Sequence, residues 1–150
     1  MFKISALEHT ADLAFRIEAV SREELVLGSI AALSEEIGIP FSQGNPECSL
    51  FSEAGNQIHE IKSTDTSEID CLIELLNDWL FLVQVTKVFP AAYQVDWEED
   101  TISLKIHVKS EEIPLMEYES EIKSITYHQS YLKNTGSQNL PWRAEWIADI

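Results

Sequence analysis

The sequence predicts an α+β fold: a mixed or antiparallel β-sheet system packed against two main α-helices, in one domain over residues 1–150. Three observations carry that expectation. Two segments repeat apolar residues at helical spacing, and about eight short runs have strand character. The order is strands, helix, strands, helix, then four strands, without the strict alternation of a parallel α/β protein. A chain of 150 residues with 45% hydrophobic and 9% aromatic residues is large enough to bury a sizeable core.

Phe2–Leu7 and Leu13–Ala19 are rich in Ile, Leu and Phe, and the second places Leu13, Phe15 and Ile17 on one side. Ser21-Arg22-Glu23-Glu24 reads as a capping box, the Ser21 hydroxyl accepting the Glu24 N–H while the Glu24 side chain reaches back. Val26, Ile30, Leu33 and Ile37 then form one apolar stripe, and Gly38 with Pro40 ends the helix. Phe41–Glu47 reads as loop. Cys48–Glu53 and Gln57–Lys62 read as a hairpin across Ala54-Gly55-Asn56, and Ser63–Ser67 as a turn.

Ser67 caps the second helix, with Asp70 able to close its box. Ile69, Leu72, Ile73, Leu76, Leu80 and Val83 make a stripe that Leu75, Trp79 and Leu82 widen past half the circumference, so this helix is predicted to be mostly buried. Asp70, Glu74, Asn77 and Asp78 form its polar face, read as a solvated face in preference to a metal site. Tyr93–Trp97 and Thr101–Lys109 are strands around a Glu98-Glu99-Asp100 turn, followed by a loop over Lys109–Ser120. Glu121–Leu132 alternates, with Ile122, Ser124, Thr126 and His128 on one face and Lys123, Ile125, Tyr127 and Gln129 on the other. After a loop at Lys133–Pro141, Trp142–Ile150 closes the chain, Trp142, Ala144, Trp146 and Ala148 lying opposite Arg143, Glu145, Ile147 and Asp149.

Ten Lys and Arg face 26 Asp and Glu, a formal charge of −16. A surface this acidic repels phosphate backbones, which argues against direct non-specific nucleic-acid binding. It suits a cation, a basic protein partner, or plain solubility. Cys48 and Cys71 are the two cysteines; neither has a Cys-x-x-Cys partner, and Cys71 is expected to be a reduced, buried thiol. The N-terminus lacks the apolar core of a signal peptide. The longest apolar stretch, Leu72–Val85, is interrupted by Glu74, Asn77, Asp78 and Gln84, so no bilayer span is expected. These features predict a soluble cytoplasmic protein.

His9-Thr10-Ala11-Asp12 gathers an imidazole, a hydroxyl and a carboxylate in a turn between the first two strands. Such side chains either cap the local backbone or converge on a ligand. At the other end, Trp146-Ile147-Ala148-Asp149-Ile150 is a strand-like run closing on a carboxylate and the α-carboxylate, where a frayed tail would be ordinary.

These motifs, with Ser21-Arg22-Glu23-Glu24-Leu25, Leu75-Leu76-Asn77-Asp78-Trp79-Leu80 and Glu121-Ile122-Lys123-Ser124-Ile125-Thr126-Tyr127-His128, resemble the archease family over nearly the whole chain. Val26 and Ser124 depart from the residues usual there, and residues 41–65 match poorly. The resemblance implies a small protein that activates the GTP-dependent 3′-phosphate tRNA-splicing RNA ligase, promoting its guanylylation and multiple turnover and broadening its nucleotide use. It implies metal ligation by Asp12, Asp149 and the terminal residue, Ile150, and a role in activation for Lys123. Asp12, Asp149 and an α-carboxylate together offer up to six oxygens, a hard-cation set for which Ca²⁺ is favoured over Mg²⁺ or Mn²⁺. His9 is expected to orient the motif by a hydrogen bond from outside the ligand set. Catalytic residues of its own are not expected. Two rival readings stand beside this one: a metal-dependent phosphohydrolase using Asp12, Asp149 and His9, and an acidic decoy that blocks basic nucleic-acid-binding sites.

Overall fold

The computed structural model describes residues 1–9, 12–41, 56–88, 90–109 and 120–150. Among these are seven strands and two helices: β1 (Phe2–Leu7), β2 (Leu13–Ala19), α1 (Arg22–Ile37), β3 (Asn56–Thr64), α2 (Glu68–Gln84), β4 (Pro90–Glu98), β5 (Thr101–Lys109), β6 (Ser124–Asn134) and β7 (Trp142–Asp149). The strands form two sheets, ordered β1-β2-β7-β6 and β3-β5-β4, and every pairing is antiparallel. The α+β class is as the sequence predicts.

Local chemistry sets the helix ends. Ser21 Oγ accepts the Glu24 N–H at 3.2 Å, but the Glu24 carboxylate lies 3.4 Å from the Met1 amino group, where a box would turn it back to the cap. At the C-terminus, Gly38 takes φ 84°, which favours glycine, and the Ile39 N–H returns to the Ser34 carbonyl at 2.9 Å in a Schellman arrangement. Ser67 caps α2 by accepting the Asp70 N–H at 3.4 Å, and Asp65 in turn accepts the Ser67 N–H at 2.9 Å.

Both helices are shared by both sheets. α1 packs on β1, β2 and β7 and also on β4, while α2 packs on β6 and also on β3 and β5. This explains the wide apolar face of α2: Cys71, Leu72, Ile73, Leu75, Leu76, Trp79, Leu80 and Val83 are all buried. Cys71 is a free, buried thiol, as expected.

The structure alters several sequence boundaries. The Cys48–Glu53 half of the expected hairpin lies outside the described residues, as do most of the two expected loops, Phe41–Glu47 and Lys109–Ser120. Gln57–Lys62 belongs to β3, which pairs with β5 over its whole length and so draws Ser63 and Thr64 out of the expected turn. β4 starts three residues earlier than expected, at Pro90. β6 starts at Ser124, and its predicted alternation fails because Ile122 and Ile125 are both buried, at 1% and 2% exposure. Residues three apart on a regular strand face opposite sides, so the backbone must turn between them. A second irregularity follows, with Thr126 opposite Ile147 but Tyr131 opposite Glu145, and Gln129 at φ 54°.

Gly28 marks the closest approach of α1 to the first sheet: a Cβ there would stand 2.6 Å from Ile17 Cγ2 and 3.1 Å from the Phe2 ring. Overpacking costs about 1–3 kcal/mol, against a helix-propensity gain of just under about 1 kcal/mol. Gly28→Ala is therefore expected to lower the denaturation midpoint, by about 1 kcal/mol of stability. An unchanged or raised midpoint in a urea titration would show that Ile17 moves aside freely.

Candidate functional site at the acidic end of the first sheet

The hairpin β1–β2 and the strand β7 build this end. β2 pairs with β7 so that Leu13 faces Ala148, which brings Asp12 and Asp149, the residues next to that pair, to the same end of the two strands. β6 lies on the other side of β7 with Ser124 facing Asp149, and the Lys123 N–H donates to the Asp149 carbonyl at 2.8 Å. Asp12, Asp149, Ile150 and Lys123, drawn from three separate segments, thus lie at one end of the first sheet. Ile150 is 48% exposed there, and Lys123 is exposed with no ion pair to another described residue.

His9 Nδ1 lies 3.8 Å from Asp12 Oδ2, beyond hydrogen-bond length. Thr10 and Ala11 of the motif lie outside the described residues. His128 is exposed, in keeping with a surface position.

Among the described residues, no three His, Cys, Asp or Glu side chains group closely enough to hold a metal ion. Asp12, Asp149 and the α-carboxylate of Ile150 would offer anionic oxygens, a chemistry that suits Ca²⁺ or Mg²⁺ better than a softer ion.

A cleft of about 210 Å³ opens beside the motif, between His9 on the hairpin and Gln129 on the irregular part of β6, with Glu145 and Ile147 in its wall. A larger cleft of about 610 Å³ sits at the β4–β5 turn, lined by Lys62, Asp96, Glu98 and neighbours, and contains none of the predicted site residues. In the smaller cleft, Arg16 holds Glu145 through Nε at 3.2 Å and Nη2 at 2.9 Å. Burial would raise the Glu145 carboxyl, but bonds from Tyr131 and Arg16 and the charges of Arg16 and Arg143 outweigh it and hold it below the usual range.

Two residues to which the sequence reading gives no role at this end of the sheet support it. Asn77 and Gln84, on α2, hydrogen-bond the backbone of Ile125 and Ile122 on either side of Lys123. Asn77 was assigned to the solvated face with Asp70, Glu74 and Asp78. Glu74 and Asp78 are exposed as expected, but Asn77 is half-buried against β6. The one available signal was an amide among carboxylates on that face. The acids still shape their surroundings: burial and then Glu74 raise the Asp78 carboxyl, and burial followed by Glu74, Asp70, Asp65 and Asp78 raises the nearby Tyr127 phenol.

The Glu145 pairing yields a pH signature. Because its folded carboxyl titrates below the ordinary 4.5, its stabilisation is present above that value and is lost as pH falls below it. Glu145→Gln should cost about 1–2 kcal/mol at neutral pH and flatten the acid limb of a plot of melting temperature against pH. Parallel acid limbs for the two proteins would remove Glu145 from the acid sensitivity.

Comparison with known proteins places these features in a family context. A sequence model of the Archease protein family (MTH1598/TM1083) matches residues 5–150. The protein archease of Methanosarcina mazei is 27% identical over 153 residues, covering 99% of this chain and 96% of the relative. That of Methanosarcina barkeri is 26% identical over 151 residues, covering 96% and 93%. Protein 1598 of Methanobacterium thermoautotrophicum, solved in solution, has a TM-score of 0.61 at 24% identity, covering 99% of this chain and 98% of its own. The crystal structure of an archease from Thermotoga maritima, described as a possible chaperone, has a TM-score of 0.58 at 23% identity, covering 96% and 94%. Those two structures share the fold.

Proposed function

The chain belongs to the archease protein family, and from that premise we propose that it is a cytoplasmic protein activator of the GTP-dependent 3′-phosphate RNA ligase of tRNA splicing. On this reading it promotes guanylylation and multiple turnover of the ligase without being an enzyme itself. The observation that supports this most is the β2–β7 register, whose last pair, Leu13 and Ala148, brings Asp12 and Asp149 to one strand end beside Ile150. Asp12, Asp149 and the α-carboxylate of Ile150 would hold one divalent cation, Ca²⁺ first. When bound, the divalent cation would offset two of the three negative charges at this strand end and supply a hard Lewis acid.

The residues of the chain have distinct tasks. Asp12 and Asp149 would supply anionic oxygens that a cation gathers at this strand end. Lys123, exposed one residue from the Ser124–Asp149 pair, supplies a positive charge that is not a ligand. The net charge of −16 directs the rest of the surface toward a basic protein and away from RNA itself.

Asp12→Ala is expected to abolish ligase activation, while stability without metal holds or rises because like-charge repulsion is relieved. Guanylylation of the ligase and the melting temperature of the metal-free variant are the two readouts. A clear drop in that melting temperature would make Asp12 a structural turn residue. A short peptide added after Ile150 turns its α-carboxylate into an amide and should weaken Ca²⁺ binding by about tenfold or more, about 1.4 kcal/mol. Calorimetric titration of the extended and unextended proteins checks this, and equal affinities would take Ile150 out of the site.

A further inference from the structure

Two carboxamides on one face of α2 do for the approach to β6 what a neighbouring strand would do. Asn77 Nδ2 donates to the Ile125 carbonyl at 3.1 Å, and its Oδ1 accepts the Ile125 N–H at 2.7 Å. Gln84 repeats the pattern one step along: Nε2 donates to the Ile122 carbonyl at 2.8 Å, and Oε1 accepts the Ile122 N–H at 3.0 Å. The spacing is matched. Seven helical residues advance about 10.5 Å, and three extended residues advance about 10 Å. A helix and a strand running in opposite directions can therefore meet at both points at once.

Lys123 and Ser124 lie between the two clamped residues, and β7 holds them from the other side. There the Lys123 N–H donates to the Asp149 carbonyl at 2.8 Å. Binding both polar groups of Ile122 and of Ile125 fixes the peptide planes that flank Lys123 and Ser124. This is the physical cause of the lost alternation, because Ile122 and Ile125 are turned to the same buried side. With the backbone fixed on both flanks, the direction in which the Lys123 side chain leaves it is fixed as well.

We propose that Asn77 and Gln84 are positioning residues that set the direction of Lys123 and lock it to the Asp149 strand end, so that α2 carries the geometry of the activating cation. The assignment rests on the activator reading given above for its functional meaning, although the positioning itself is a property of the isolated protein. The carboxamide chemistry is essential to it, since each amide must both donate and accept. A carboxylate of the same shape keeps the acceptor for the N–H but turns an oxygen toward the carbonyl.

The test combines Asn77→Asp and Gln84→Glu in one chain and places the pair in the Lys123 and Lys123→Ala backgrounds. Ligase turnover should fall about tenfold in the first background and less than about twofold in the second, because the changes act through the lysine. Equal losses in both would show general weakening and overturn the assignment. A second measurement on the isolated protein, amide hydrogen exchange, should show the Lys123 N–H exchanging about tenfold faster in Gln84→Glu alone, with β2–β7 amides unchanged. An unchanged Lys123 rate would also overturn it. A native protein that leaves ligase turnover unaltered would sink the activator reading, and the exchange rates would then decide the positioning by themselves.

Discussion

The structure depends first on the pairing of β2 with β7. These strands come from opposite ends of the chain, and their contact closes the largest loop in the fold, an entropic cost that local structure does not offset. The offsetting terms are visible on both faces of the pair. Inside, Phe15 packs on Trp146 with ring centroids 5.2 Å apart, and Ile17, Ala19, Ala144 and Ala148 are fully buried. Outside, Arg16 stands opposite Glu145 and Glu18 opposite Arg143, a cross-strand ladder of opposite charges. A slip of one residue would exchange these two faces, so the register is strongly specified. The same register brings Asp12 and Asp149 to the same end of the pair.

The helices hold that pairing by packing against both sheets, and two buried indoles tie them to the strands. The Trp146 indole donates to Ser29 Oγ at 3.0 Å, joining β7 to α1. The Trp79 indole donates to the Tyr93 hydroxyl at 3.1 Å, joining α2 to β4, while burial pushes that phenol well up from its ordinary range. Bonds of this kind fix which helix face meets which strand, because a buried indole N–H without an acceptor costs more than a mispacked methyl. At the end of the first sheet away from the acidic edge, Arg22 bonds Glu68 at 3.0 Å and the Glu99 carbonyl at 3.2 Å and lies over the Trp97 ring. It ties the starts of both helices to the β4–β5 turn.

The acidic edge and the Lys123 segment are thus built by elements whose own reasons for folding lie elsewhere. α2 is anchored by its apolar stripe, and only then are Asn77 and Gln84 delivered at the spacing that Ile125 and Ile122 require. β7 is anchored by Trp146 and the alanines, and only then does Asp149 face the hairpin. A rigid frame supporting an exposed, strongly charged edge is the arrangement expected where function rests on placing charges in preference to moving them.

The amino-acid sequence by itself determined what neighbours along the chain can decide. The stripe Val26, Ile30, Leu33 and Ile37, the caps Ser21 and Ser67, the stop at Gly38 and the Glu98-Glu99-Asp100 turn were all legible, because periodicity and capping act over a few residues. The motifs at both chain ends were legible as chemistry as well. Tertiary structure alone decided that β3 pairs with β5 and runs on through Thr64. It also decided that the alternation after Glu121 breaks. It took Asn77 from the solvated face, since an amide's partners are backbone groups far along the chain that no spacing reveals. The physical reason is common to these cases: hydrogen-bond register and side-chain-to-backbone bonds are set between segments, after packing has brought them together.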